Sequence, residues 1–179
     1  MDTLTKTQIT ENNFPQIVDK FYFQWHITNK CNLRCGHCYQ ENYVDGQEMS
    51  IVELQSIADK LLFALSKWGI KGEIAITGGE PLIKKECISL LKYLNEATEV
   101  TDLDILSNGT LITQKHIEQL KSISKLRCFQ ISLDGAYPET HDAIRGNGTL
   151  ERTLNNIRKL IQNNIPVYIM FTLQRSNMH

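Results

Sequence analysis

Hydrophobic and polar positions along the chain alternate between two patterns. From Phe21 onward, short runs of apolar, aromatic and β-branched residues are each followed by a longer stretch whose apolar positions recur at helical spacing. The first run is FYFQWHIT. A helix is then predicted over SIVELQSIADKLLFAL, where Ser50 and Glu53 have the spacing of a capping box and Leu54, Ile57, Ala58, Leu61, Leu62 and Leu65 mark one face. The pattern repeats with strands at EIAIT, LDILS, RCFQISLD and VYIMFTL, and with helices around Lys84 to Leu94, Gln114 to Ile123 and Leu150 to Gln162. Five strands and four helices in alternation predict an α/β fold of βα units around a parallel sheet. The fifth strand is followed only by QRSNMH, where a further helix would be expected to begin.

Composition narrows the classes of function. The chain has 179 residues, 41% of them hydrophobic, which suits one domain with a substantial core. Its 19 basic and 20 acidic residues, a formal net charge of -1, give no electrostatic footprint for nucleic acid or an anionic membrane. Small molecules or proteins are the expected partners. Residues 1–20 are polar and lack the apolar run of a secretion signal, and no segment reaches the ~20 apolar residues of a membrane span, so a cytoplasmic location is expected. In a reducing compartment, clustered thiols point to metal binding or catalysis rather than disulfides. Cys87 and Cys128 stand apart in apolar surroundings and are expected in the core.

In parallel α/β folds ligands bind beyond the carboxyl ends of the strands. The residues there are the Cys31 to Cys38 loop, GGEP (Gly78 to Pro81), SNGT (Ser107 to Thr110), SLDG (Ser132 to Gly135) and QRSN. The first holds three thiols in CNLRCGHC. A structural zinc site takes four protein ligands, commonly from two separated knuckles, and the sequence offers no second one. His37 is a poor fourth ligand because it adjoins Cys38. A zinc with three cysteines and one open position is the competing use. A cubane iron–sulfur cluster takes four thiolates when fully ligated, so three leave one iron open to a small molecule.

The CxxxCxxC spacing of CNLRCGHC after the first strand, with GGEP after the second, resembles the radical S-adenosylmethionine (SAM) superfamily over Phe21 to about Arg175. The resemblance implies a partial parallel (β/α) barrel of six units, of which five strands are present here, with a core domain over 21–179 incomplete at its C-terminal side. It implies a [4Fe-4S] cluster on Cys31, Cys35 and Cys38 whose open iron is chelated by SAM. An electron from the reduced cluster then cleaves the sulfonium, and the 5′-deoxyadenosyl radical abstracts hydrogen from substrate. The cofactor supplies the hard chemistry, while the protein binds and orients.

Residue by residue, the resemblance implies that His37 packs near the adenine and that Gly78, Gly79 and Glu80 receive the methionine amino group. Glycines would admit close backbone approach, and a carboxylate complements an ammonium. Ser107 and Asn108 would meet the ribose or the methionine carboxylate, and Ser132 and Asp134 the ribose hydroxyls. Arg145, in HDAIRG, is the candidate partner of the SAM carboxylate, a task suited to its planar fork. His141 and Asp142 are expected to cap or brace that loop, and GNG (Gly146 to Gly148) reads as a helix-leading turn.

The run from SLDG through HDAIRG resembles the SPASM/twitch-type branch, which modifies peptides and proteins or builds peptide-derived cofactors. A peptide or protein substrate, an electron donor and a second chain or longer parent completing the barrel are the implied partners. Two other readings compete: a noncatalytic partner subunit that keeps SAM and cluster, and an α/β protein with structural zinc.

Overall fold

A computed structural model describes residues 20–40 and 48–178. The polar segment expected over 1–20 therefore lies almost wholly outside the described residues. Five strands form one sheet: β1 (Lys20–His26), β2 (Lys71–Thr77), β3 (Val100–Ser107), β4 (Leu126–Ser132) and β5 (Val167–Met170). They are hydrogen-bonded in chain order and every pairing is parallel. Between them lie helices α1 (Ile51–Trp68), α2 (Cys87–Glu96), α3 (Gln114–Leu120), α4 (Pro138–Arg145) and α5 (Thr149–Gln162).

Local chemistry sets the helix ends. Ser50 and Glu53 form the expected capping box at the start of α1, and Gly69 closes the helix in the left-handed conformation at φ 66°. The second helix begins at Cys87 rather than near Lys84, because Glu80 and Pro81 first set up a 3₁₀ turn over Pro81–Ile83. One helix was not foreseen. The expected HDAIRG loop is α4, whose buried residues His141, Ile144 and Arg145 share a face but are mostly polar, so they leave no apolar stripe in the sequence. Asp142 then caps α5, accepting from Gly148 N at 2.7 Å and Leu150 N at 2.8 Å. GNG is the turn leading into α5, as expected.

Strand alternation divides the sheet into two faces. One bears Ile74, Ile76, Leu103, Ile105, Phe129 and Ile131, which form a buried cluster with Leu54, Leu90, Leu91, Leu94, Ile117, Leu120 and Leu160 of the helices. Each such side chain contributes about 1.5–3 kcal/mol on burial. Cys87 and Cys128 are both buried as expected, Cys87 within this cluster and Cys128 on the opposite face against Asp104. The opposite face carries Gln24, Thr77, Leu106, Ser132 and Met170 at the carboxyl ends of the strands, where they line a common cavity.

Farther down that helix-free face the strands carry charge. Asp104 accepts from Arg127 Nε at 3.0 Å and Nη2 at 2.5 Å, from Gln130 Nε2 at 3.0 Å and from Cys128 Sγ at 3.2 Å. Arg127 Nη1 also reaches Glu73 at 2.6 Å, and Lys20 bridges Glu73 and Asp102. The β3–β4 pairing shifts register so that Arg127 is skipped between Leu126 and Cys128. This bulge turns Arg127 toward the carboxylates instead of into the core.

Candidate cofactor site

The site begins where β1 ends. The segment after it stays paired with the β2 side: Ile27 N donates to Thr77 O, Gly79 N to Thr28 O and Glu80 N to Lys30 O, at 2.8–2.9 Å. The GGE turn is therefore stitched to the chain that leads into Cys31. This explains the two glycines more directly than ligand approach does. A Cβ on Gly78 would lie 2.6 Å from Thr28 O, and one on Gly79 would lie 2.5 Å from Lys30 O. Both contacts are with backbone, which cannot swing aside.

The cysteine loop is held from two sides. Gly36 N donates to Ile144 O of α4 at 2.8 Å, and Cys38 N donates to Cys35 O at 3.0 Å in a tight turn. Cys31, Cys35 and Cys38 all line a cavity of about 320 Å³ together with Gly78 and Gly79. Burial raises the Cys31 and Cys35 thiols above the usual range, opposed at Cys31 by the Leu33 N–H and at Cys35 by Arg145. Leu33 N lies 3.4 Å from Cys31 Sγ, Asn108 Nδ2 lies 4.0 Å from the same sulfur, and Arg145 Nη1 lies 3.9 Å from Cys35 Sγ.

Other expected site residues divide into those that face the cavity and those that stand behind it. His37, Ser107, Asn108, Ser132 and Arg145 line it. Glu80 does not. Its carboxylate is fully buried, accepting from Asn108 N at 2.8 Å, Leu82 N at 3.1 Å and Ser107 Oγ at 2.9 Å. Burial pushes its pKa up to about 7, against the lowering effect of these donors. The expected carboxylate for an ammonium is here a tie between the loops after β2 and β3.

Asp134 is likewise fully buried behind the cavity wall. Its Oδ2 accepts from Arg145 Nε at 2.6 Å and its Oδ1 from Thr172 N at 3.0 Å. Asp134 N donates to His141 Nδ1 at 3.2 Å, so His141 ties α4 to the segment after β4. With Nε held by Asp134, the terminal nitrogens of Arg145 are the ones left to meet a further acceptor. Gln24, Thr77, Leu106, Met170 and Thr172 were not anticipated as lining residues. The available signal was strand alternation, which places Gln24, Thr77, Leu106 and Met170 on the helix-free face.

These donors suit an iron–sulfur cluster with an open corner. Three thiols share one cavity, and among the described residues no group of three His, Cys, Asp or Glu side chains is placed to hold a single metal ion. His37 Nδ1 is buried beside the cavity with no protein partner among the described residues, a polar atom that a ligand could satisfy.

The fold and the cavity together define an α/β sheet protein with a thiol-lined cavity at the carboxyl edge of its sheet. The chain belongs to the Radical SAM superfamily, whose family profile matches residues 25–179. This family uses a [4Fe-4S] cluster and S-adenosylmethionine. The chain is similar to GTP 3′,8-cyclase of Clostridium perfringens (strain SM101 / Type A), 31% identical over 152 residues that cover 83% of this chain and 45% of that protein. It is also similar to the AdoMet-dependent heme synthase of Nitratidesulfovibrio vulgaris, 33% identical over 160 residues, 87% of this chain and 41% of that protein. The chain thus spans less than half the length of these relatives.

Among solved structures, Streptococcus suis SuiB bound to S-adenosylmethionine matches with a TM-score of 0.70 at 19% identity, covering 83% of this chain and 33% of that one. The enzyme anSMEcpe with bound AdoMet matches with a TM-score of 0.68 at 21% identity, covering 84% of this chain and 43% of that one. These likenesses bear on the fold, an α/β partial barrel.

Proposed function

We propose that this chain is the catalytic core of a radical SAM enzyme, with Cys31, Cys35 and Cys38 as the three protein ligands of its [4Fe-4S] cluster. The observation that carries this reading is the meeting of the three cysteines with Gly78 and Gly79 around one cavity at the carboxyl edge of the sheet. When bound, cluster and SAM supply reductive cleavage of the sulfonium and a 5′-deoxyadenosyl radical that takes hydrogen from substrate. The chain's own residues bind and orient. Gly78 and Gly79 present backbone to the methionine end of SAM, and Ser107, Asn108 and Ser132 offer hydroxyl and amide groups along the cavity wall. His37 offers a ring face for the adenine. Arg145 keeps Nη2 for the carboxylate, while Glu80 and Asp134 act from behind by fixing Asn108 and Arg145.

Substrate belongs on the helix-free face below the cavity. A peptide or protein substrate is the finer reading. It is supported by the resemblance of the SLDG to HDAIRG run to peptide-modifying enzymes and by the fold likeness to SuiB bound to precursor peptide SuiA and to anSMEcpe with bound AdoMet and Cp18Cys peptide. A cytoplasmic location and an electron donor fit a thiol-bound cluster that must be reduced. Among the described residues, no helix is long and apolar enough to cross a membrane.

The test is anaerobic reconstitution with iron and sulfide, reduction, and electron paramagnetic resonance with and without SAM, followed by assay for 5′-deoxyadenosine. A reduced-cubane signal that shifts with SAM, with 5′-deoxyadenosine released, is expected. A shift without cleavage would favour the noncatalytic partner subunit. Colourless protein that retains zinc and no sulfide would overturn the reading.

A further inference from the structure

The three cysteines do not sit in equivalent surroundings. Cys31 Sγ faces neutral donors, Leu33 N at 3.4 Å and Asn108 Nδ2 at 4.0 Å. Cys38 is exposed, and its sulfur receives no donor among the described residues. The guanidinium near Cys31, that of Arg34, is exposed and donates to the Cys31 and Leu33 carbonyls. Cys35 faces a buried cation, with Arg145 Nη1 at 3.9 Å, within the longer reach of an N–H···S contact.

That cation is held in place with unusual completeness. Arg145 is 8% exposed, and its Nε donates to Asp134 Oδ2 at 2.6 Å. Asp134 cannot follow a moving guanidinium, because each of its polar groups is engaged. Thr172 N takes Oδ1, Asn177 Nδ2 donates to its carbonyl at 3.1 Å, and its own N–H is given to His141 Nδ1. The hub therefore joins the end of β4, α4 and the segment after β5. The guanidinium lies between a fixed carboxylate and the sulfur, so its nearer, positive edge acts on Cys35.

Hydrogen bonds to cluster sulfurs and nearby charge are among the determinants of iron–sulfur reduction potentials. A donor that approaches a ligand sulfur stabilises the more negative, reduced cluster and raises the potential. We propose that Arg145 tunes the cluster by donating to Cys35 Sγ, and that Asp134 is the positioning residue that holds it there. This rests on the cluster-binding reading given above. It gives Arg145 a task distinct from pairing with the SAM carboxylate.

The two tasks separate when the potential is measured without SAM. Wild type, Arg145→Lys and the double variant Asp134→Asn with Arg145→Met would be reconstituted in the full chain and titrated by redox potentiometry with paramagnetic detection. In the Lys variant an ammonium keeps the pair with Asp134 but lacks the fork that also reaches sulfur. The double variant replaces a neutral ion pair with a neutral pair of similar size, so net charge is unchanged and no carboxylate is stranded. The midpoint potential is expected to move to more negative values in both. Wild-type potentials in both cluster-loaded variants would overturn the tuning role. So would folded variants that no longer assemble a cluster, since Arg145 would then shape the loop instead. Failure of wild type itself to take up a cluster would instead overturn the underlying cluster assignment.

Discussion

Glu80 accepts a hydrogen bond from the backbone N–H of Asn108 at 2.8 Å, joining the loop after β2 to the loop after β3 inside the protein. The same carboxylate takes Ser107 Oγ and Leu82 N, and it is fully buried. Asn108 in turn reaches Asn32 Oδ1 at 3.0 Å, so the tie extends into the cysteine loop. Glu80→Ala would strand two buried backbone donors, each costing about 1–3 kcal/mol, and should destabilise the fold by roughly 3 kcal/mol. The expected result is a lower urea midpoint together with weaker SAM binding, because Ser107 and Asn108 lose their support. Lost SAM affinity at unchanged stability would instead place Glu80 in direct contact with SAM.

The same burial gives a pH signature. The Glu80 pKa is raised from 4.5 to about 7. In that interval the folded state holds a proton that the unfolded chain has released, so stability falls as pH rises. The contribution is fully present below about pH 4.5 and lost by about pH 7, on the order of 3 kcal/mol in total. Glu80→Gln removes the titration. Urea midpoints of apo wild type and variant, compared at pH 5 and pH 8, should show a steeper decline for wild type. Parallel declines would mean that Glu80 is ionised throughout.

Much of this arrangement is legible in the sequence because strand runs, βα alternation and the placement of Cys31, Cys35 and Cys38 are all local patterns. The direction of the Glu80 side chain is not. A carboxylate after two glycines reads as a ligand to ammonium, and only the partners supplied by Ser107 and Asn108 turn it inward. Helix α4 leaves no apolar pattern in the sequence because its buried face is built from His141 and Arg145 as well as Ile144, which hydrophobic periodicity cannot register. The Asp104–Arg127 pair is hidden in the sequence for a related reason. Within LDILS and RCFQISLD they look like polar interruptions, and their pairing depends on a bulge that becomes visible only when the strands are in register.

The Asp104–Arg127 pair yields its own prediction. Asp104 is 1% exposed and serves donors from Arg127, Cys128 and Gln130. Removing one member of a buried pair typically costs about 3–5 kcal/mol because the other is left uncompensated, whereas replacing both with apolar residues is often close to neutral. Arg127 is partly exposed and keeps Glu73, so Asp104→Leu should fall at the lower end of that range. The double variant Asp104→Leu with Arg127→Leu should be more stable than Asp104→Leu alone. Chemical denaturation of the singles and the double measures the coupling. Additive losses would show that the pair is not a coupled unit.

Gly79 links stability to cofactor loading. Its N–H donates to Thr28 O at 2.8 Å, and an added Cβ would lie 2.5 Å from Lys30 O and 2.8 Å from Lys30 C. Relief requires the backbone at Lys30 to retreat, and Cys31 is the next residue. Gly79→Ala should therefore displace the first thiol from the other two, costing on the order of 1–3 kcal/mol in overpacking. Iron and sulfide retained after anaerobic reconstitution should fall sharply. Gly69→Ala is the matched control: its Cβ would meet nothing within 4 Å, and its left-handed φ of 66° imposes backbone strain far from the cysteines. That variant should lose stability but bind iron as wild type does. Equal iron loss in both would mean that global destabilisation, and not the fit of Gly79 against Lys30, limits cluster assembly.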